Sequence, residues 1–184
     1  MSRFSHASVL LLLVSSSALA SVESGTSGSA FTRVRSTQRP MIELLHAGAA
    51  RSPTFRRLVE KLERSDLIVY VEPSRKVDGG YLRFATVAGQ SRWVQVLVNP
   101  DRPINQILAM IGHELQHAAE ISEASNVVDE ATMAGFYRRI GTTSCSSAAR
   151  ACYETRNAQV AGGNIFRELS GRSVPPDGLA CALR

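Results

Sequence analysis

At 184 residues the chain has material for one buried core and too little for two domains of ordinary size. Its formal net charge of +5 is mildly basic, yet Lys and Arg are scattered. Pairs such as Arg56-Arg57 and Arg138-Arg139 read as solvated helix faces without interleaved aromatics, which argues against a nucleic-acid interface. Every apolar run is shorter than the roughly 20 residues that a membrane span needs.

Residues 1–20 have the order of a secretory signal: Arg3, an apolar run over 9–14, then small residues ending Ala18-Leu19-Ala20. Cleavage before Ser21 would leave a secreted or periplasmic mature chain. Residues 21–40, rich in Ser, Gly and Thr and lacking apolar periodicity, read as a flexible leader. A first helix is expected over 41–50. A better signalled one starts at Ser52, with Ser as N-cap and Pro53 as first helical residue ahead of Phe55, Leu58, Val59 and Leu62. Three strands follow: 67–71 (LIVYV), 81–87 and 92–98 (RWVQVLV). The last two alternate apolar and polar residues across a Gly-containing turn and read as a hairpin.

After the break Asn99-Pro100-Asp101-Arg102-Pro103, a helix is predicted over 103–122. Its apolar residues Ile104, Ile107, Leu108, Ile111, Leu115 and Ala118 fall on one stripe at about 100° per residue, and that stripe is expected to lie on the sheet. Two more helices are expected over 127–140, capped by Asn126 and Asp129, and over 148–169. The tail 171–184, with Pro175-Pro176, reads as irregular. The predicted fold class is α+β. Residues 41–170 form one domain in which an N-terminal helical part and a three-stranded sheet pack on the 103–122 helix, followed by a helical C-terminal part. The three cysteines, Cys145, Cys152 and Cys181, allow one disulfide at most; Cys145 with Cys152 is the nearest pair, and their spacing matches no metal-binding pattern.

Within the 103–122 helix the residues His113-Glu114-Leu115-Gln116-His117 match the HExxH pattern of zinc metallopeptidases. Histidines four apart lie one above the other, about 6 Å apart, so both rings reach one metal ion. By the same rotation they face away from the Ile107, Ile111, Leu115 stripe. Glu114 is turned about 100° from His113, too far to join them as a ligand but placed to act on a water as general base. The competing reading is a surface helix whose two His and one Glu are solvated polar residues.

This segment resembles the zincin superfamily, whose domains pass from a twisted sheet into the HExxH helix and then into a smaller helical part that completes the site. The resemblance is specific over 103–122 and architectural over 67–169. It implies Zn²⁺ as cofactor, held by His113, His117 and a third ligand. In metzincins a Gly three residues after the second His lets the chain turn; here Glu120 stands there, with Glu123 three further on, and the helix is expected to continue. Gluzincins take a Glu from a later helix, which points to Glu154, on a face shared with Ala158, Ala161, Ile165 and Leu169. Glu120, expected beside His117, and Glu130 remain alternatives.

Tyr137 and Tyr153 are candidates for stabilising an oxyanion, although aromatics at helical spacing are more often core. His46 reads as structural. The strand 92–98 has the position of the zincin edge strand that pairs with an extended substrate, and Trp93 in it is as readily a core residue. The function implied is an exported zinc-dependent metallopeptidase acting on peptide or protein substrates, with Glu114 as general base. The alternative is a non-catalytic zinc-containing exported binding module.

Overall fold

The computed structural model describes residues 31–143 and 153–171. The signal segment 1–20, residues 21–30, all three cysteines, the start expected for the last helix and the tail from 172 lie outside the described residues. The first element is one that the sequence pattern does not announce. Val34–Arg35 form β1, and Val34 is buried in the core. The carboxylate of Glu63 accepts the N–H groups of Thr32, Arg33 and Val34 at 3.0, 2.8 and 2.9 Å. The flexible leader expected over 21–40 therefore does not hold for residues 31–40. Two strand residues are too few to show alternation, and what pins them is an acid far along the chain.

Helix α1 (Arg39–Arg51) leads directly into α2 (Pro53–Glu63). Ser52 caps α2 as expected, its hydroxyl accepting from Phe55 N–H at 3.0 Å. Three strands follow, β2 (Leu67–Pro73), β3 (Gly80–Ala88) and β4 (Ser91–Val98), and with β1 they make a four-stranded sheet in the order β1-β2-β4-β3. Strands β1, β2 and β4 are parallel neighbours, and β3 returns antiparallel to β4 as the expected hairpin. The strand expected at the edge, 92–98, lies inside the sheet, and β3 is the edge instead. The reason is apolar content: Val94, Val96 and Val98 of β4 are buried, whereas Leu82 is the buried residue of β3.

Helix α3 (Ile104–Ser122) lays Ile107, Leu108, Ile111, Leu115 and Ala118 into the core as its periodicity predicts, while Ile104 stays exposed. Helix α4 (Glu130–Ile140) is capped by a reciprocal pair, Asp129 with Thr132, and Asn126 is not its cap. A short antiparallel pair, β5 (Thr142–Thr143) and β6 (Tyr153–Glu154), precedes α5 (Arg156–Ser170). The last helix thus begins well after 148, because Thr155 caps it by accepting from Ala158 N–H at 3.2 Å. Among the described residues the fold is mixed α+β, with five helices and a sheet of mixed orientation. No described helix is long and apolar enough to cross a membrane.

One side chain joins the sheet to the end of α3. The guanidinium of Arg92, on β4, is buried and makes two bonds to Asp66, at 2.6 and 2.8 Å. It also donates to the carbonyls of Ile121 (3.1 Å), Ala124 (2.6 Å) and Val127 (3.0 Å), closing the C-terminus of α3. Hydrogen bonding to Arg92 holds the Asp66 carboxyl below its ordinary 3.8. A depressed carboxyl stabilises the fold fully above 3.8 and loses that contribution as pH falls through the lower folded value. Arg92→Met should cost about 3–5 kcal/mol in urea unfolding, since it strands several carbonyls and Asp66 together. Asp66→Asn should cost less, about 1–3 kcal/mol, and should lose less further stability than wild type when the titration is carried into acid below 3.8.

Candidate metal centre

α3 is buried on both sides, against the sheet by its apolar stripe and against α5 by the opposite face. On that second face stand the two histidines. The rings of His113 and His117 lie 4.9 Å apart in an edge-to-face arrangement, as four-residue spacing on a helix dictates. The close approach of α5 is made by glycines: a Cβ at Gly162 would sit 3.3 Å from His113 Cβ, and one at Gly112 would collide with Ile165.

The structure brings Glu154 to these rings. Its Oε1 is 3.3 Å from His113 Nε2 and 3.7 Å from His117 Nε2. His113, His117 and Glu154 each present one ligand atom, and all three atoms lie within 4.8 Å of one another. Tetrahedral zinc with ligands at about 2.0–2.2 Å would hold neighbouring donors about 3.3–3.5 Å apart; two imidazoles and one carboxylate suit the ion in chemistry, and the two histidine–carboxylate separations of 3.3 and 3.7 Å come near that spacing. The route by which Glu154 arrives differs from that expected. It sits on β6, ahead of the N-cap of α5, and not on a helix face with Ala158, Ala161, Ile165 and Leu169.

The alternatives fall elsewhere. Glu120 is buried on the far side of the His117 ring, its Oε2 being 3.2 Å from Nδ1 and its Oε1 accepting from the Thr155 hydroxyl at 2.8 Å. Glu130 accepts from Phe84 N–H at 2.9 Å at the rim of the cavity and stands outside the converging group. Tyr137, named as an oxyanion candidate, spends its hydroxyl proton on the His117 carbonyl at 2.7 Å and is core. Tyr153 stacks on Tyr137 and lines the cavity. His46 stacks on Phe31, and Trp93 on Tyr70 at the sheet face turned away from α3; neither lines the cavity.

The chain matches no family model, no curated protein and no solved structure.

The cluster carries large mutual shifts. Burial pushes the Glu154 carboxyl up, but hydrogen bonds with His113 and His117 outweigh it and bring it from 4.5 down to about 2. Burial pushes His117 down, while its bonds to Glu120 and Glu154 and the nearby Glu114 charge lift it from 6.5 to about 9. These carboxylates draw positive charge into the space between the rings, and among the described residues lining it only the two imidazoles can carry one. Glu114 is buried, and its burial raises the carboxyl above 4.5 against the lowering effect of both histidines and the Leu82 amide.

A cavity of about 180 Å³ opens beside these groups, walled by Gly80 and Leu82 of β3, by Met133 of α4 and by Tyr153. A wider groove of about 570 Å³ lies on the other face of the sheet, between Glu72, Arg83 and Gln95, but it is open surface without a convergent ligand set. Gly80 and Thr155 are site residues that sequence patterning misses. The capping signal of Thr155 was legible locally, whereas Gly80 is special only because Glu114 rests on it. A Cβ at Gly80 would lie 2.6 Å from Glu114 Oε1 and 2.8 Å from its Cγ. Gly80→Ala should therefore destabilise by about 1–2 kcal/mol in denaturant melts, as overpacking does. The same change in a Glu114→Ala background should be neutral, a coupling that a double-mutant cycle reads directly.

Proposed function

We propose that this chain is an exported zinc-dependent metallopeptidase, with Zn²⁺ held by His113, His117 and Glu154 and with Glu114 as general base. The observation that carries this reading is the convergence of His113 Nε2, His117 Nε2 and Glu154 Oε1 on one point beside a cavity into which Glu114 also faces. Zn²⁺ in such a site supplies a Lewis acid that polarises a carbonyl and makes water acidic enough to attack near neutral pH.

The remaining chemistry belongs to the chain. Glu114 leaves the helix at a different angle from the histidines, which keeps its carboxylate out of the ligand group and against the cavity wall at Gly80. There it takes the proton from an attacking water and later returns it to the leaving amine. Glu120, hydrogen-bonded to the far side of His117, orients that ring without competing for the metal. Strand β3 is the sheet edge along the cavity, in place of the inner strand β4, and its Phe84 N–H is already taken by Glu130. The resemblance of residues 103–122 to the HExxH helix of zincins supports the same assignment.

Purified mature protein is expected to bind about one Zn²⁺ per chain, and His113→Ala or His117→Ala should abolish binding. Glu154→Ala should weaken it more than Glu120→Ala, for which a loss of about 10–100-fold is expected. Competition titration against a chelator of known affinity measures both, and the reverse order would hand the ligand role to Glu120. Glu114→Gln should keep zinc and thermal stability near wild type while lowering cleavage of an unfolded protein substrate by roughly 10²–10⁴. Unchanged cleavage in that variant would refute the mechanism, and a wild type that holds zinc yet cleaves no peptide in a broad library would favour a binding module or a protease of narrow specificity.

A further inference from the structure

A buried hydroxyl has one proton to give and lone pairs to receive, so its neighbours decide in which direction its hydrogen bonds run. Thr155 is buried, and its Oγ1 has two partners of opposite kind. On one side is the N–H of Ala158, at 3.2 Å, which belongs to the first turn of α5 and can only donate. On the other is Glu120 Oε1, at 2.8 Å, which as a carboxylate can only accept. The Thr155 proton therefore points at Glu120. The second oxygen of Glu120 faces His117 Nδ1 at 3.2 Å, and a carboxylate there requires the proton to be on Nδ1. That leaves Nε2, the nitrogen turned toward Glu154, without the proton whenever the ring is neutral. The backbone N–H of the same Thr155 donates to Glu154 Oε1 at 2.9 Å, the atom that approaches both histidines.

We infer that Thr155 is a positioning residue of the centre, holding Glu154 through its amide and setting the His117 tautomer through Glu120 by means of its hydroxyl. The inference rests on the reading of His113, His117 and Glu154 as the metal ligands. It makes the start of α5 part of the site: the helix-capping bond and the bond that orients a ligand share one oxygen, and the polarity of the helix end is passed through it to the ring. A serine retains both bonds. A valine has neither, and an aspartate caps the helix but has no proton for Glu120.

The test is zinc affinity of the full mature chain, by competition with a chromophoric chelator, across Thr155→Ser, Thr155→Val and Thr155→Asp, alone and with Glu120→Ala. Thr155→Ser should stay within about threefold of wild type, and Thr155→Val should bind about 10–100-fold more weakly. In the Glu120→Ala background the valine change should have little further effect, because the bond it removes no longer leads to His117. If the valine variant does not fold, Thr155→Asp takes its place and must show the same loss despite its intact cap. Affinity within threefold of wild type for both Val and Asp overturns the inference, as does a full additional loss in the Glu120→Ala background. A wild type that binds no zinc overturns the metal reading instead. The positioning claim is then decided on the metal-free protein, at a pH above about 9 where the His117 ring is neutral, by ¹⁵N shifts of that ring, which must move in Thr155→Val as they do in Glu120→Ala and must stay in place in Thr155→Ser; an unmoved ring in the valine variant overturns it.

Discussion

A helix packed on both sides cannot leave polar groups without partners, and α3 carries His113, Glu114, His117 and Glu120 into such surroundings. Burying a charged or hydrogen-bonding group alone costs several kcal/mol, so each of these side chains obliges a neighbouring element to answer it. β6 answers with Glu154, the N-cap of α5 answers with Thr155, and β3 answers with an edge thin enough at Gly80 to admit the Glu114 carboxylate. The rest of the C-terminal part is arranged to deliver those groups. Gly112 and Gly162 bring α5 near enough for its cap to reach Glu120, and the Tyr137 hydroxyl on α4 takes the His117 carbonyl.

The framework around α3 depends on ionic side chains that finish elements other than their own. Arg92, from the middle of the sheet, closes the C-terminus of α3 and the turn leading to α4. Glu63, at the end of α2, gathers the N–H groups before β1, and Glu168, near the end of α5, takes the Thr54 N–H and both hydroxyls at the start of α2. Acidic groups at a helix start and a cation at a helix end also suit the helix dipole. Each of these bonds joins parts of the chain far apart in sequence and ties a helix end to another element.

The electrostatic character of the centre follows from the same economy of partners. Three glutamates stand around two histidines, and no Lys or Arg is among the described residues that wall the cavity, although the chain as a whole is basic. Positive charge has to be supplied from the imidazoles or from a bound ion. That asymmetry suits a cation site, and it also keeps Glu114 and Glu154 in different roles: one carboxylate is buried and pressed on a strand, the other is tied to both rings.

What the sequence by itself determined is whatever repeats at short range. The α3 helix, its apolar stripe, the Ser52 cap and the hairpin of β3 and β4 follow from periodicity and capping within one or two turns of chain, where side-chain geometry is set by local dihedrals. The placing of His113 and His117 on one face and Glu114 beside them is of this kind, and so is the expectation that Glu120 stands next to His117. The tertiary structure alone decided which carboxylate meets the two rings, since Glu154 reaches them from a two-residue strand and not from the helix face that periodicity proposed. It alone decided that β3 and not β4 forms the sheet edge, that residues 31–40 join the domain, and that Thr155 links α5 to His117. Each of these rests on a contact between residues far apart in the chain, and the free energy of such a contact depends on packing and on loop closure, neither of which leaves a periodic trace in the amino-acid order.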